Sequence, residues 1–311
     1  MLSKSQIDTF NQEGCLCIPN FLTQEETKLL LSRSKQLLDE LDLSAHPKTQ
    51  FKTGENDHVG DNYFFDSSDK VSYFFDTDAF DDKGELKYPK EQAINKIGHG
   101  LHLHDEVFSK ITFDEKVVGI AKSLEYVDPR VLQSMCIFKQ PMKQEDEGDE
   151  SVERENLVPV HTDGTFLFTE PHSALGFWYA LEDCTLENGC LWYNPGTHKT
   201  FPITKRFVKI DGGEGGTNFI PVDTYDKGLE PIPEDKPEDY KSIECKAGSL
   251  VLIHNSVLHK SDKNRSKKSR FIYAFHLIDG KSKYDALNWL QVPPGKSGGT
   301  EFTKLYKEVS V

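Results

Sequence analysis

The stretch Val158-Pro159-Val160-His161-Thr162-Asp163 decides how this chain of 311 residues is read. Side chains alternate across an extended backbone, so His161 and Asp163, two positions apart, share one face. Two such groups begin a metal site but rarely complete one. A third ligand is on offer far downstream at His259, after the strand-like run Ser249-Leu250-Val251-Leu252-Ile253. Two imidazoles and one carboxylate on one side of a metal leave its other positions open, which is the facial arrangement of non-haem Fe(II) oxygenases. An H-x-D pair alone occurs by chance in many chains, so the surrounding sequence has to carry the argument.

Arg270 supplies that context. It opens Arg270-Phe271-Ile272-Tyr273-Ala274-Phe275-His276-Leu277, whose aromatic and aliphatic content is that of a strand. Arg270, Ile272, Ala274 and His276 share one face of it. An arginine in such a run seldom faces a core without an anion. Its planar guanidinium grips a carboxylate through two parallel hydrogen bonds. A dicarboxylate such as 2-oxoglutarate would take that grip at one end and the metal at the other.

Several blocks then fall in a recognisable order. They are His161-Thr162-Asp163, then Glu187-Asn188-Gly189-Cys190-Leu191-Trp192 running into Pro195-Gly196-Thr197-His198-Lys199, then His259-Lys260-Ser261 and Arg270. Together they resemble the phytanoyl-CoA dioxygenase family, and more narrowly its phytanoyl-CoA dioxygenase domain-containing branch. Ile94-Asn95-Lys96-Ile97-Gly98-His99, Gln133-Ser134-Met135, Ile137-Phe138-Lys139-Gln140-Pro141 and Asn288-Trp289-Leu290-Gln291 add to the match, which spans about residues 5–291. The resemblance implies an Fe(II)- and 2-oxoglutarate-dependent dioxygenase. His161, Asp163 and His259 would hold the iron, with the remaining positions for 2-oxoglutarate and O2. Arg270 would anchor the distal carboxylate with help from Ser261 and Lys96, and Met135 and Trp178 would line the site. Oxidative decarboxylation to succinate and CO2 would be coupled to hydroxylation of an unactivated C–H in a small-molecule, lipid-like substrate. His254 competes with His259 as third ligand. The family pattern favours His259, because Lys260-Ser261 follow it and Arg270 is then correctly spaced.

Composition bounds the partners. A hydrophobic fraction of 36% and an aromatic fraction of 11% fit a soluble globular protein. The formal net charge of −14 argues against a nucleic-acid or anionic-membrane binder, which would carry a basic face. It also leaves no evident site for the phosphates of coenzyme A, so an acyl-CoA substrate is not supported and the prime substrate stays open. Cys15, Cys17, Cys136, Cys184, Cys190 and Cys245 form no C-x-x-C and read as reduced thiols. No signal-like apolar run, membrane-length segment or Ser-Lys-Leu terminus is present, leaving the cytoplasm as the expected compartment.

Along the chain, helices are expected over residues 3–13, from the capping box Thr23-Gln24-Glu25-Glu26 to about residue 41, and over 114–124. Residues 46–69 read as loop. A helical pattern begins at Glu91 and continues past Asp105, carrying His99, His102 and His104. His102 and His104 make a rival metal pair only if extended, since residues two apart on a helix do not face one another. Arg130-Val131-Leu132-Gln133-Ser134-Met135-Cys136-Ile137-Phe138 is a long buried strand. The acidic run 144–155 is a surface loop placed where a lid would lie, and 225–241 is a surface excursion. The whole reads as one domain, mainly β with α. The expected architecture is a double-stranded β-helix (cupin-like jelly roll) buttressed by N-terminal helices. About residues 1–125 form the helical cover and about 130–280 the jelly-roll core. Two other functions share the same residues: a Zn(II) hydrolase, which leaves Arg270 without a purpose, and a non-catalytic cupin-like protein that binds metal and 2-oxoglutarate. Oligomeric state is not encoded in any of these features.

Overall fold

The computed structural model describes residues 1–54, 57–141, 154–222, 234–292 and 301–306. The acidic run apart from Arg154 and Glu155, and the first part of the 225–241 excursion, lie outside the described residues. Two helices open the chain. Ser3 and Thr23 each form a capping box, satisfying orphan backbone donors of Lys4–Glu13 and Gln24–Glu40. The second helix buries Leu30, Leu37 and Leu38. Glu106–Thr112 and Glu115–Ser123 complete the cover, starting from Asp105 and Asp114, whose carboxylates accept from first-turn N–H groups.

Two antiparallel sheets face one another. The larger runs in the spatial order Cys15–Ile18, Leu250–His254, Leu175–Ala180, Arg270–Asp279, Pro129–Lys139, Ile94–His99, Val71–Phe75. The smaller runs Lys241–Ile243, Leu191–Tyr193, His259–Ser261, Val158–His161. Alternation divides the residues of the large sheet between two cores. Cys136, Phe138, Phe177, Tyr179, Tyr273, Phe275 and Leu277 pack under the helices. Met135, Trp178, Val251, Ile253, Ile272 and Ala274 pack with Cys190, Leu191 and Ile243. This is the double-stranded β-helix expected from the sequence. Among the described residues no helix is long and apolar enough to cross a membrane.

The N-terminal segment is more than a cover, because it also contributes three strands to the large sheet. One of them corrects an expectation. The helical pattern from Glu91 stops after Lys90–Ala93, and Ile94–His99 is a strand paired with both Val71–Phe75 and Pro129–Lys139. Helix resumes only as the single turn Leu101–His104 and then Glu106–Thr112. Ile94, Ile97 and Leu101 have helical spacing, but two neighbouring strands offer hydrogen bonds on both edges, and tertiary pairing overrides local propensity. The 46–69 region likewise holds a small hairpin, Thr53–Gly54 with Asp57–His58, and the short helix Asn62–Phe65.

The chain enters the Val158–His161 strand through a buried charge cluster. The Arg154 side chain is 1% exposed and donates to Asp76 at 2.9 Å and Asp78 at 3.0 Å. It also donates to the Gln92 carbonyl and stacks 3.7 Å from the Tyr88 ring. Burial pushes the Asp76 carboxyl up to about 7 against the pull of Arg154. Two residues on, the Asn156 amide donates to Gln140 O and its oxygen accepts from Asn264 N. Removing one partner of a buried ion pair costs about 3–5 kcal/mol, because the other charge is left uncompensated. Arg154→Met is therefore expected to lower unfolding free energy by about 3 kcal/mol in urea titration. Adding Asp76→Asn should recover part of the loss, and full stability of the single variant would contradict the arrangement.

Candidate active site

His161 closes one strand of the small sheet and His259 opens its neighbour, and the register sets them directly opposite. Asp163 is not on the strand. It starts the single helical turn Asp163–Phe166. Thr162 before it is extended, with φ −121° and ψ 141°, so Asp163 still returns to the face of His161. Asp163 Oδ1 lies 3.9 Å from His161 Nε2 and 3.6 Å from His259 Nε2. The donor atoms of the three residues all fall within 4.8 Å of one another, and among the described residues no other group of three His, Cys, Asp or Glu side chains does so.

The protonation pattern suits a cation. His161 Nδ1 faces the Pro159 carbonyl at 2.8 Å and His259 Nδ1 faces the Val257 carbonyl at 3.1 Å. A nitrogen facing a carbonyl carries the proton, so both Nε2 lone pairs point to the shared space. Burial, helped by the neighbouring His259, pushes the His161 imidazole down to about 4, and Asp163 is held below the usual carboxylate range against its burial by His276, His259 and His161. Two imidazole Nε2 atoms and one carboxylate thus converge, a donor set that fits a divalent metal ion.

A further histidine stands behind the carboxylate. His276 Nε2 is 3.4 Å from Asp163 Oδ2, an electrostatic contact too long or bent to count as a full hydrogen bond. Its Nδ1 takes a 3.2 Å hydrogen bond from the Gln133 amide. Gly176 on the adjacent strand makes room for the group. A Cβ there would meet Asp163 Oδ2 at 3.1 Å and Ile253 Cβ at 3.3 Å.

At the opposite end of the same strand pair Arg270 is 2% exposed. Its Nη1 donates to Gly189 O at 2.7 Å, its guanidinium carbon is 5.4 Å from the Trp178 ring, and its Nε is buried without a hydrogen-bond partner among the described residues. Lys139 is paired with Arg270 in register, 1% exposed, and donates to the carbonyls of Ser261 and Asp262. Burial and then the Arg270 charge push its ammonium well below the ordinary lysine range. Lys96 lies over the Phe51 ring at 3.3 Å and is pushed down to about 7 by burial. One cavity of about 390 Å³ is lined by His161, Asp163, His259, Ser261, Arg270, Lys96, Met135 and Trp178 alike.

The sequence-derived site residues are therefore brought together. The competitors are not. His254 packs against His198 and Phe10, and its Nδ1 accepts from Ser256 N. His102 is engaged by Ser134 Oγ at 2.7 Å, and His104 by the Asp69 carbonyl. Lys139 stands in the sequence only as part of a block, with no role attached, although alternation in Met135-Cys136-Ile137-Phe138-Lys139 puts it on the face of Met135. Gln133 was visible only as part of a block, with no role attached.

Fold and site define a jelly-roll protein with a two-histidine, one-carboxylate centre. The chain belongs to the phytanoyl-CoA dioxygenase family, whose model, described as phytanoyl-CoA dioxygenase (PhyH), matches residues 10–272. By family it is a 2-oxoglutarate-dependent dioxygenase, with Fe(II) as its metal. It is 41% identical over 291 residues to an Arabidopsis thaliana protein called phytanoyl-CoA dioxygenase, covering 93% of this chain and 94% of that one. It is 39% identical over 297 residues to the Rattus norvegicus phytanoyl-CoA dioxygenase domain-containing protein 1, covering 93% and 95%. Among solved structures it resembles the non-heme alpha ketoglutarate dependent epimerase SnoN from nogalamycin biosynthesis, with TM-score 0.59, 15% identity and coverage of 97% and 98%. It also resembles EctD from S. alaskensis with 2-oxoglutarate and 5-hydroxyectoine, with TM-score 0.57, 15% identity and coverage of 91% and 78%. At such identities these likenesses speak for the fold alone.

The titration of His161 has a consequence for stability. Its folded-state value of about 4 lies below the ordinary 6.5, so its contribution is present above pH 6.5 and is lost as pH falls toward 4. One proton changes stability by up to about 1.4 kcal/mol per pH unit in that window. In metal-free protein, His161→Asn is expected to flatten the fall in unfolding free energy between pH 6.5 and 4. An unchanged slope would show that His161 is not held neutral.

Proposed function

We propose that His161, Asp163 and His259 hold Fe(II), and that the chain oxidatively decarboxylates 2-oxoglutarate while hydroxylating a small, apolar molecule. The observation that carries this reading is one cavity lined both by three convergent donor atoms and by a buried guanidinium whose Nε has no partner among the described residues. Iron with 2-oxoglutarate and O2 supplies the oxidising chemistry, yielding succinate, CO2 and a hydroxylated carbon. The protein's part is placement. The backbone carbonyls of Pro159 and Val257 fix the tautomers of the two histidines. Arg270 presents its unpartnered Nε–H to the distal carboxylate, while Gly189 O holds the other side of the fork. The hydroxyl of Ser261 and the ammonium of Lys96 assist, and Met135 and Trp178 wall off water so that these charges act at low dielectric. Lys139 ties down the Ser261 and Asp262 carbonyls beside Arg270.

The first test is anaerobic titration of Fe(II)-loaded protein with 2-oxoglutarate, read by the weak visible charge-transfer band. Its appearance is expected, and iron bound without the band would refute the chelating arrangement. His161→Ala is expected to abolish stoichiometric Fe(II) binding, whereas His254→Ala should leave it in place. Arg270→Ala removes a charge-assisted hydrogen bond and should weaken 2-oxoglutarate binding about a hundredfold with iron retained. Unchanged affinity would remove Arg270 from its assigned role.

A further inference from the structure

The strand pair carrying the site has two unlike ends. Arg270 faces Lys139 and His276 faces Gln133, six positions apart. At about 3.4 Å per residue the backbone positions of the two ends are about 20 Å apart, and the second end lies beside Asp163. The cations of this strand pair, Arg270 and Lys139, belong to the first end, and the cavity's third, Lys96, lies over Phe51. At the second, Gln133 is 6% exposed, lines the cavity, and leaves its Oε1 buried without a hydrogen-bond partner among the described residues.

The amide is placed by its neighbour. His276 Nε2 faces the Asp163 carboxylate, and the Gln133 NH2 group is directed at His276 Nδ1, 3.2 Å away. The Gln133 carbonyl oxygen is thereby turned away from His276, toward the cavity, where no donor among the described residues meets it. A buried acceptor left unmatched costs more than an ordinary hydrogen bond returns.

The surrounding surface is aromatic. Phe166 stands 6.0 Å from the His161 ring and 5.4 Å from Phe207. Phe64 and Trp289 stack at 4.3 Å, and both line the cavity with Phe51. His99, against Trp289, is pushed down to about 3 by burial and so stays uncharged. Aromatic faces receive flat apolar rings, while the Gln133 oxygen calls for a hydrogen-bond donor rather than an anion.

We propose that Gln133 is a substrate-recognition residue, and that the prime substrate is a neutral, ring-bearing, largely apolar molecule donating one hydroxyl or N–H to Gln133 Oε1 from within this aromatic chamber. The proposal rests on the dioxygenase reading and adds to it the class of molecule and the contact that orients it. The donor completes a chain through Gln133 and His276 to Asp163, and so fixes the substrate relative to the metal ligands.

The test is calorimetric binding to the full-length, Fe(II)- and 2-oxoglutarate-loaded protein without oxygen, with 2-naphthol, 2-methoxynaphthalene and 2-naphthoate as probes. The naphthol is expected to bind about tenfold more tightly than the ether, the worth of one buried hydrogen bond, and naphthoate more weakly still. Gln133→Leu and Gln133→Met should bring the naphthol down to the level of the ether while leaving 2-oxoglutarate affinity unchanged, which also shows that the variants fold. Equal binding of naphthol and ether to the native protein, retention of the preference in both variants, tightest binding of naphthoate, or no binding of either neutral probe would each overturn the proposal. Failure of the native protein to bind 2-oxoglutarate would instead strike the dioxygenase reading, and the naphthol-to-ether ratio would still be measured on the same iron-loaded protein.

Discussion

The antiparallel pairing that sets His259 opposite His161 is the constraint on which the site depends. A one-residue slip would turn one imidazole to the other face of the small sheet and break the centre. The pairing is defended from both sides. Leu191–Tyr193 pairs with the other edge of His259–Ser261, and Arg154 and Asn156 hold the chain entering Val158–His161. The Asp163 carboxylate then needs only one extended residue, Thr162, to reach the same space.

The large sheet answers this centre with a graded surface. Along the face formed by Arg270, Ile272, Ala274 and His276, the lining passes from buried cations to small apolar residues to a neutral amide. Desolvation makes each group's partner matter. A guanidinium buried in this way calls for an anion, and an amide oxygen buried in this way calls for a donor. The gradient therefore gives one cavity an end that calls for an anion and an end, beside Asp163, that calls for a donor, and the small side chain of Ala274 and the absent one of Gly176 leave room between the sheets.

Much of this was legible in the chain. The capping box at Thr23 marks the second N-terminal helix because the signal is local. Alternation in the Arg270 and Met135 runs assigns residues to faces without any structure. The ordered blocks point to His161, Asp163 and His259 through residue type and spacing, and the preference for His259 over His254 agrees with their positions. Two kinds of feature were hidden. Ile94–His99 carries a helical spacing, and only its pairing with strands from distant sequence makes it β. Lys139 and Gln133 are ordinary polar residues in a strand until the register sets one against Arg270 and the other against His276.

The sequence by itself determined the chemistry on offer: which side chains are present, which share a face of an extended run, and where helices begin. These depend on neighbours a few residues apart. The tertiary structure alone decided which faces meet, which charges lose their water and which polar atoms are left without partners. Those properties arise from contacts between residues far apart in the chain, and desolvation is a property of the packed surroundings rather than of the residue.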